Sequence, residues 1–433
     1  MQTITTREIL PHANLTCVSS DKFKTGCFSV NLITQLRKET ASKNALIPRV
    51  LLRGTAYHPD MLSLAEAMDE LYGTKVIPLV RKKGELQCIG LFADFVDDDF
   101  LPRGSGLLEK VASLVGELLL SPKTHGGLLI GEYVESERKN LIDEIRASMN
   151  DKRTYAADRL RQLMCADEDY GVGPLGDAET AAEITALSLT RQYQHILASS
   201  RLEIFYCGSA SADRVESALQ SALAALPRSP EPEYAGTDVV LSPPASEPRR
   251  FTEEMDVTQG KLSVGFRVGK SMLAPNYAAL MVSNAVYGGC VTSRLFLNVR
   301  ERLSLCYYAS SSLDRQKGVM TVSSGVEFDK YDDALREILA QLDAIRRGEI
   351  TDWELKSARR AVVNAIRSSL DSSYGLEGLY FDQAISDFKC TPEELAGIAD
   401  TVTADEVRAI AQGVELDTVF FLTGIKGGNG NEA

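Results

Sequence analysis

Apolar residues recur along the chain with two periods. Alternating or continuous apolar runs rich in β-branched and aromatic residues predict strands at 27–36, 75–81, 85–95 and 202–207, the second and third joined through Lys82-Lys83-Gly84. Apolar residues at i, i+3 or i+4 and i+7 predict helices over 42–53, 61–71, 106–120, 133–164, 178–199 and 211–225. The order then returns. A strand is expected at 261–268, helices at 275–286 and 293–302, and a hairpin at 305–313 and 319–326. Helices follow over 331–346, 352–370, 378–386, 391–399 and 404–413, before a last strand at 418–422. Hairpins make much of each sheet antiparallel, so the predicted class is α+β twice over: antiparallel-rich mixed sheets with helices packed on one side.

Between the two series lies a segment with Pro227, Pro230, Pro232, Pro243, Pro244 and Pro248, a density that helices and central strands do not tolerate. It predicts an N-terminal half at 1–226, a linker at 227–250 and a C-terminal half at 251–433. A Gly/Asn-rich tail, 427–433, is expected to fray. The halves also resemble each other. ERKNLIDEIRASMN at Glu137–Asn150 aligns with ARRAVVNAIRSSLD at Ala358–Asp371, matching Arg138 with Arg359, Ile145 with Ile366, Arg146 with Arg367 and Ser148 with Ser369. The shared I-R-x-S step predicts an internal duplication.

Composition narrows the function. Lys plus Arg total 47 against 60 Asp plus Glu, a net charge of −13 that argues against nucleic acid. No run approaches the ~18 apolar residues of a membrane span, and MQTITTREIL lacks the pattern of a signal peptide. Eight scattered cysteines without a C-x-x-C pair read as reduced thiols, so a cytoplasmic location is expected. The four histidines, His12, His58, His125 and His195, lie far apart, and no H-x-x-x-H zinc spacing exists. His58 reads as a structural or exposed loop residue, and Asp97-Asp98-Asp99 as a solvated turn. Phosphate loops, dinucleotide fingerprints and G-x-S-x-G elbows are also missing from the sequence.

One segment is distinctive: YGGCVTSRLFLNVRERLSLCYYASSS, from Tyr287 to Ser312. Gly288 and Gly289 permit unusual backbone shapes and close approach of another segment. Arg300, near a helix end, and Tyr307, on the following strand, offer donors suited to a peptide carbonyl or a developing oxyanion. The segment resembles the second-half signature of the insulinase-like (pitrilysin, mitochondrial-processing-peptidase) zinc metallopeptidases. The resemblance implies two homologous halves facing each other as a clam shell. It also implies that Arg300 and Tyr307, with Gly288 and Gly289, bind substrate backbone. In the family, an H-x-x-E-H motif on the first long helix holds zinc, followed by Gly-Thr. The matching stretch here is ALIPRVLLRGT, from Ala45 to Thr55. Ala45 and Arg49 occupy the histidine positions and Pro48 the glutamate position, while Glu135 matches the third ligand. Alanine has no ligand atom, arginine repels Zn²⁺, and proline supplies no base. The resemblance therefore implies no metal and no catalytic residue on this chain alone. It implies a non-catalytic subunit beside a homologue carrying H-x-x-E-H and the zinc, as a heterodimer, with a peptide as the ligand. The alternatives are a homodimer or a scaffold without a proteolytic role.

Overall fold

A computed structural model describes residues 3–269, 277–386 and 389–425; the tail 427–433 and residues 275–276 of an expected helix lie outside them. The first series of elements is β1 (Thr3–Leu10), β2 (Ala13–Ser19), β3 (Thr25–Gln35), α1 (Lys38–Leu51), α2 (Met61–Glu70), β4 (Lys75–Lys83), β5 (Leu86–Val96) and α3 (Leu107–Leu120). After the short ribbon β6 (Thr124–His125) and β7 (Leu128–Leu129) come α4 (Gly131–Ala147), α5 (Lys152–Met164), α6 (Ala178–Ala182), α7 (Ala186–Ser199), β8 (Arg201–Gly208) and α8 (Ala212–Ala222). The second series is β9 (Arg249–Met255), β10 (Gly260–Arg267), α9 (Tyr277–Asn284), π-helical turns at Ala285–Gly289 and Leu295–Arg302, β11 (Cys306–Asp314) and β12 (Val319–Val326). It ends with α10 (Tyr331–Arg346), α11 (Asp352–Ser369), α12 (Ser373–Ala384), α13 (Pro392–Thr401), α14 (Ala404–Gln412) and β13 (Glu415–Gly424).

Two expected helices are each broken by a capping residue. Asp151 accepts from the backbone N–H groups of Arg153 and Thr154, ending 133–164 as one helix and starting α5. Thr185 and Ser188 form a capping box that starts α7 inside 178–199. Strands β1 and β9 carry no apolar pattern that announces them, because both are edge strands: most of β1 is exposed, and β9 alternates between exposed and half-buried residues.

The sheets share one topology. The first runs β1-β2-β8-β3-β5-β4 and the second β11-β12-β10-β13-β9. Strands β4-β5-β3-β8 and β11-β12-β10-β13 are antiparallel throughout, and each run continues into a parallel pair, β8 with β2 and β13 with β9; the first sheet alone adds β1, antiparallel to β2.

The compact units interleave instead of following contiguous halves. One comprises 1–146, 172–236 and 368–389, the other 147–171, 237–367 and 390–433. Thus α5 packs on β10 and β13, and α12 packs on β8 and β3, each on the sheet of the other series. In the first unit, Phe28, Val30 and Leu32 of β3 face a core with Leu46 and Val50 of α1, Leu118 of α3 and Leu197 of α7. The opposite face, with Cys27, Phe205 and Cys207, is covered by Leu376 and Tyr380 of α12. The expected layering therefore gains one helix across the sheet. In the second unit Ala156 and Leu160 of α5 bury against Phe420 and Leu422 of β13. Each leucine or phenylalanine of this kind contributes roughly 1.5–3 kcal/mol of apolar burial, and the alanine methyl less. Residues 227–248 of the proline-rich segment carry neither helix nor strand.

Candidate functional site

The positions matching the zinc motif lie on α1. Ala45 is fully buried, and Pro48 sits inside the helix with Leu46, Ile47, Val50 and Leu51 buried around it. A proline there removes one backbone donor. Arg49 ion-pairs with Glu144 of α4 at 2.7 Å. One turn on, Arg53 donates to Glu137 at 2.9 Å and lies 5.3 Å over the Tyr133 ring. Arg49 on the last turn of α1 and Arg53 in the turn just after it meet Glu144 and then Glu137 along α4, so the two pairs tie the end of α1 to α4.

Glu135 is not the carboxylate facing the motif. It is half-exposed and pairs with Arg138 and, at 3.4 Å, with Lys139 on its own helix. The hydrogen bond from Arg138 holds its carboxyl below the usual range. Sequence comparison missed Glu144. The available signal was the seven-residue step from Glu137 to Glu144, two helical turns on one face. The donor set of Ala45, Pro48, Arg49 and Glu144 does not fit zinc, because it supplies one carboxylate already held by a fixed cation. Among the described residues no three His, Cys, Asp or Glu side chains are arranged to hold a metal ion.

Just beyond α1, Thr55 is buried and its hydroxyl donates to Glu117 of α3 while accepting from the N–H of Tyr57 and His58. His58 meets the same carboxylate at 2.8 Å, so it anchors this turn to α3. Asp97 likewise is no solvated residue. It is 2% exposed and accepts from the backbone and hydroxyl of Ser209, while Asp98 binds the N–H of Leu107 and the guanidinium of Arg214.

The second cluster lies in the other unit. Arg300, on the π-helical stretch, stacks 4.7 Å over Phe296 and lies 3.5 Å from Glu301, with 41% of its side chain exposed. Ser304 then takes a left-handed φ of 48° and turns the chain into β11. Cys306 pairs with Val326 and Tyr308 with Gly325, which leaves Tyr307 as an extra residue in a bulge. A bulge re-aims the side chain it carries. Tyr307 is 60% exposed, and its hydroxyl donates to Glu327 at 3.2 Å. That bond raises the phenol's pKa and keeps it a donor. Each of the two donors thus has its own acidic neighbour.

Gly288 and Gly289 have no positive φ, so neither supplies a special backbone shape. Close approach explains them. A Cβ on Gly288 would stand 2.6 Å from Leu295 Cδ1 and 2.8 Å from the Ser311 nitrogen of β11, and one on Gly289 3.0 Å from the Asn284 carbonyl. At Gly288 the segment that approaches is the protein's own strand β11, whereas at Gly289 it is the end of α9.

The family described as "Peptidase M16 inactive domain" matches residues 183–362. The chain is 32% identical over 421 residues to the probable inactive metalloprotease YmfF of Bacillus subtilis, covering 96% of this chain and 97% of that one. It is 25% identical over 243 residues to the uncharacterized zinc protease YmxG of the same organism, covering 55% of this chain and 57% of that one. Among solved structures it is similar to a conserved protein from Enterococcus faecalis V583, with a TM-score of 0.88, 28% identity and coverage of 98% and 99%. A Helicobacter pylori protease shares the fold at a TM-score of 0.81 and 14% identity, with coverage of 98% and 100%.

Proposed function

The chain belongs to the insulinase-like (M16) peptidase family as a member without the catalytic motif, and from that premise we propose that it is the peptide-binding, non-catalytic subunit of a metallopeptidase. The observation that carries this reading is the contrast between its two clusters. The zinc-motif positions are an alanine, a helix-interior proline and an ion-paired arginine. Arg300 and Tyr307, in contrast, remain exposed donors on a bulged strand and the helix before it. A homologue carrying H-x-x-E-H would supply the zinc, its bound water and the general base. Arg300 and Tyr307 would hold the peptide carbonyl and stabilise the oxyanion that develops on it, the guanidinium by charge and the phenol by hydrogen bonding. For Tyr307 this requires exchanging Glu327 for the peptide as acceptor. We attribute the common sheet topology to a duplicated half. Among the described residues no disulfide joins the cysteines, which supports a reducing compartment such as the cytoplasm. No helix among the described residues is long and apolar enough to cross a membrane.

The test is reconstitution. This chain alone should leave an unfolded peptide intact, and its mixture with an H-x-x-E-H homologue should cleave it in a zinc-dependent way. Arg300→Ala with Tyr307→Phe should then lower kcat by about 10²–10³, the usual cost of a lost oxyanion donor. An unchanged rate would show that the two residues are not shared with the partner's site. Association without cleavage by any mixture would favour a scaffold.

A further inference from the structure

The first unit holds a cavity of about 170 Å³ where the end of β3, the start of α1, the last two turns of α7 and residues 233–235 come together. Arg37, Thr40 and Asn44 line it from the start of α1, and Gln192, His195 and Ile196 from α7, at the three- and four-residue steps of one helix face. None of them is a position of the degenerate zinc motif or of the Arg300 and Tyr307 cluster. The volume lies below the ~300 Å³ at which sites for drug-sized molecules begin, so an occupant has to be small.

The polar groups of this cavity are held in place, and part of their bonding capacity is unused. Asn44 is buried; it donates to Gln87 at 2.9 Å and accepts from the Gln192 side-chain nitrogen at 2.8 Å. Gln87, buried as well, donates to the carbonyls of Ala41 and Pro174. This chain of amides fixes Gln192 by its nitrogen and leaves its side-chain oxygen as the open end. Glu233 is anchored by its N–H on the Ser199 carbonyl at 2.8 Å, and its carboxylate takes one bond, from His195 Nε2 at 3.1 Å. A carboxylate has room for about three more. Arg37, the exposed N-cap of α1, forms no side-chain cap and, among the described residues, no ion pair. The positive end of the α1 dipole lies beside it. One uncommitted cation and one carboxylate with open lone pairs therefore line the same small space, whose apolar wall includes buried Ile33 and Ile196.

We infer that this cavity binds a free α-amino acid with an aliphatic side chain. The ligand's carboxylate pairs with the Arg37 guanidinium, whose parallel N–H groups match it, and accepts from the Thr40 hydroxyl. Its ammonium donates to Glu233 and to the Gln192 oxygen, and its side chain lies against Ile33 and Ile196. A ligand with only one of the two charges leaves Arg37 or Glu233 unanswered inside the cavity, whereas a zwitterion meets both. The site is independent of the peptide-binding reading above, since Arg300 and Tyr307 belong to the second unit.

The probe is L-leucine, titrated by calorimetry into the full chain beside leucinamide, N-acetyl-L-leucine and L-glutamate. Leucine is expected to bind with a Kd between ~10 μM and ~1 mM. Leucinamide and N-acetyl-leucine, each missing one charge, should bind ~10-fold more weakly or worse. Arg37→Ala and Glu233→Gln should each weaken leucine ~10-fold, with the circular dichroism spectrum of the unliganded chain unchanged, because both side chains lie at the surface. Amide exchange should slow in 37–44 and 192–199 when leucine is bound. No binding up to ~10 mM leucine overturns the inference, as does a capped form that binds as tightly as leucine. Tighter binding of glutamate overturns it too, and so does leucine affinity untouched by both variants, which would place the ligand elsewhere. Arg37→Ala should leave zinc-dependent cleavage by the reconstituted mixture unchanged, so neither experiment decides the other.

Discussion

At position 49 the side chain that cannot bind zinc holds Glu144 at 2.7 Å, so a fixed cation balances the carboxylate facing the degenerate motif. If that geometry is what remains of a metal site, restoring the ligands should restore the site. The triple variant Ala45→His, Pro48→Glu, Arg49→His is expected to retain about one zinc per chain after dialysis, measured by atomic absorption. Adding Glu144→Gln should abolish retention and adding Glu135→Gln should not; the reverse pattern would return the ligand role to Glu135. Arg49→Ala alone should cost no more than ~1 kcal/mol, because its partner is half-exposed. Gly288 is the opposite kind of residue. Its missing Cβ makes room for the Ser311 backbone, so Gly288→Ala should destabilise by about 1–3 kcal/mol and lower Tm.

At the scale of elements, the exchanged helices are each fixed by buried charge. Glu377 of α12 is fully buried, accepts from Ser29 at 2.7 Å and is bound by Arg81 at 2.8 Å. Glu377→Ala leaves that guanidinium beside an apolar core, and an equilibrium denaturation should show a loss of about 3–5 kcal/mol. The segment after α5 is held by Glu168, which meets Arg267 at 2.6 Å and Lys317 at 2.7 Å, while Arg267 and Arg249 both reach Asp417. Burial alone would raise both carboxyls. The bonds from Arg267 and Lys317 carry Glu168 below the usual range, and those from Arg249 and Arg267 do the same for Asp417. A depressed carboxylate stabilises fully above its unfolded pKa, about 4 here, and loses that contribution as pH falls through its folded value. Tm should therefore hold near neutrality and fall below about pH 4. In Asp417→Asn, Tm should start lower at pH 7 and change less on acidification; an equal acid slope would exclude Asp417 as a source.

For the whole molecule, the interleaving has a consequence for folding. A fragment ending at Gly236 contains α5 without its sheet and lacks α12 over its own sheet. Expressed separately, 1–236 and 237–433 should be insoluble or molten, and co-expressed they should copurify with near-native circular dichroism. Independent cooperative unfolding of either fragment would show that the exchanged helices are dispensable.

Much of this was legible in the chain itself. The periods of two and 3.6 place the central strands and most helices because burial on one or both faces writes itself into composition. The G-G-x-x-x-S-R-L-F segment and the residues at 45, 48 and 49 announce the family and the lost zinc motif, since side-chain type alone decides what can ligate. Pairing across space was not legible. Glu144 rather than Glu135 faces Arg49 because helix packing, not position relative to a motif, chooses partners. The bulge that turns Tyr307 outward depends on the register with β12. The exchange of α5 and α12 arises where Asp151 and Ser372 restart the helix after a break. A cap marks where a helix begins, whereas the sheet it covers is set by which apolar face still lacks a partner.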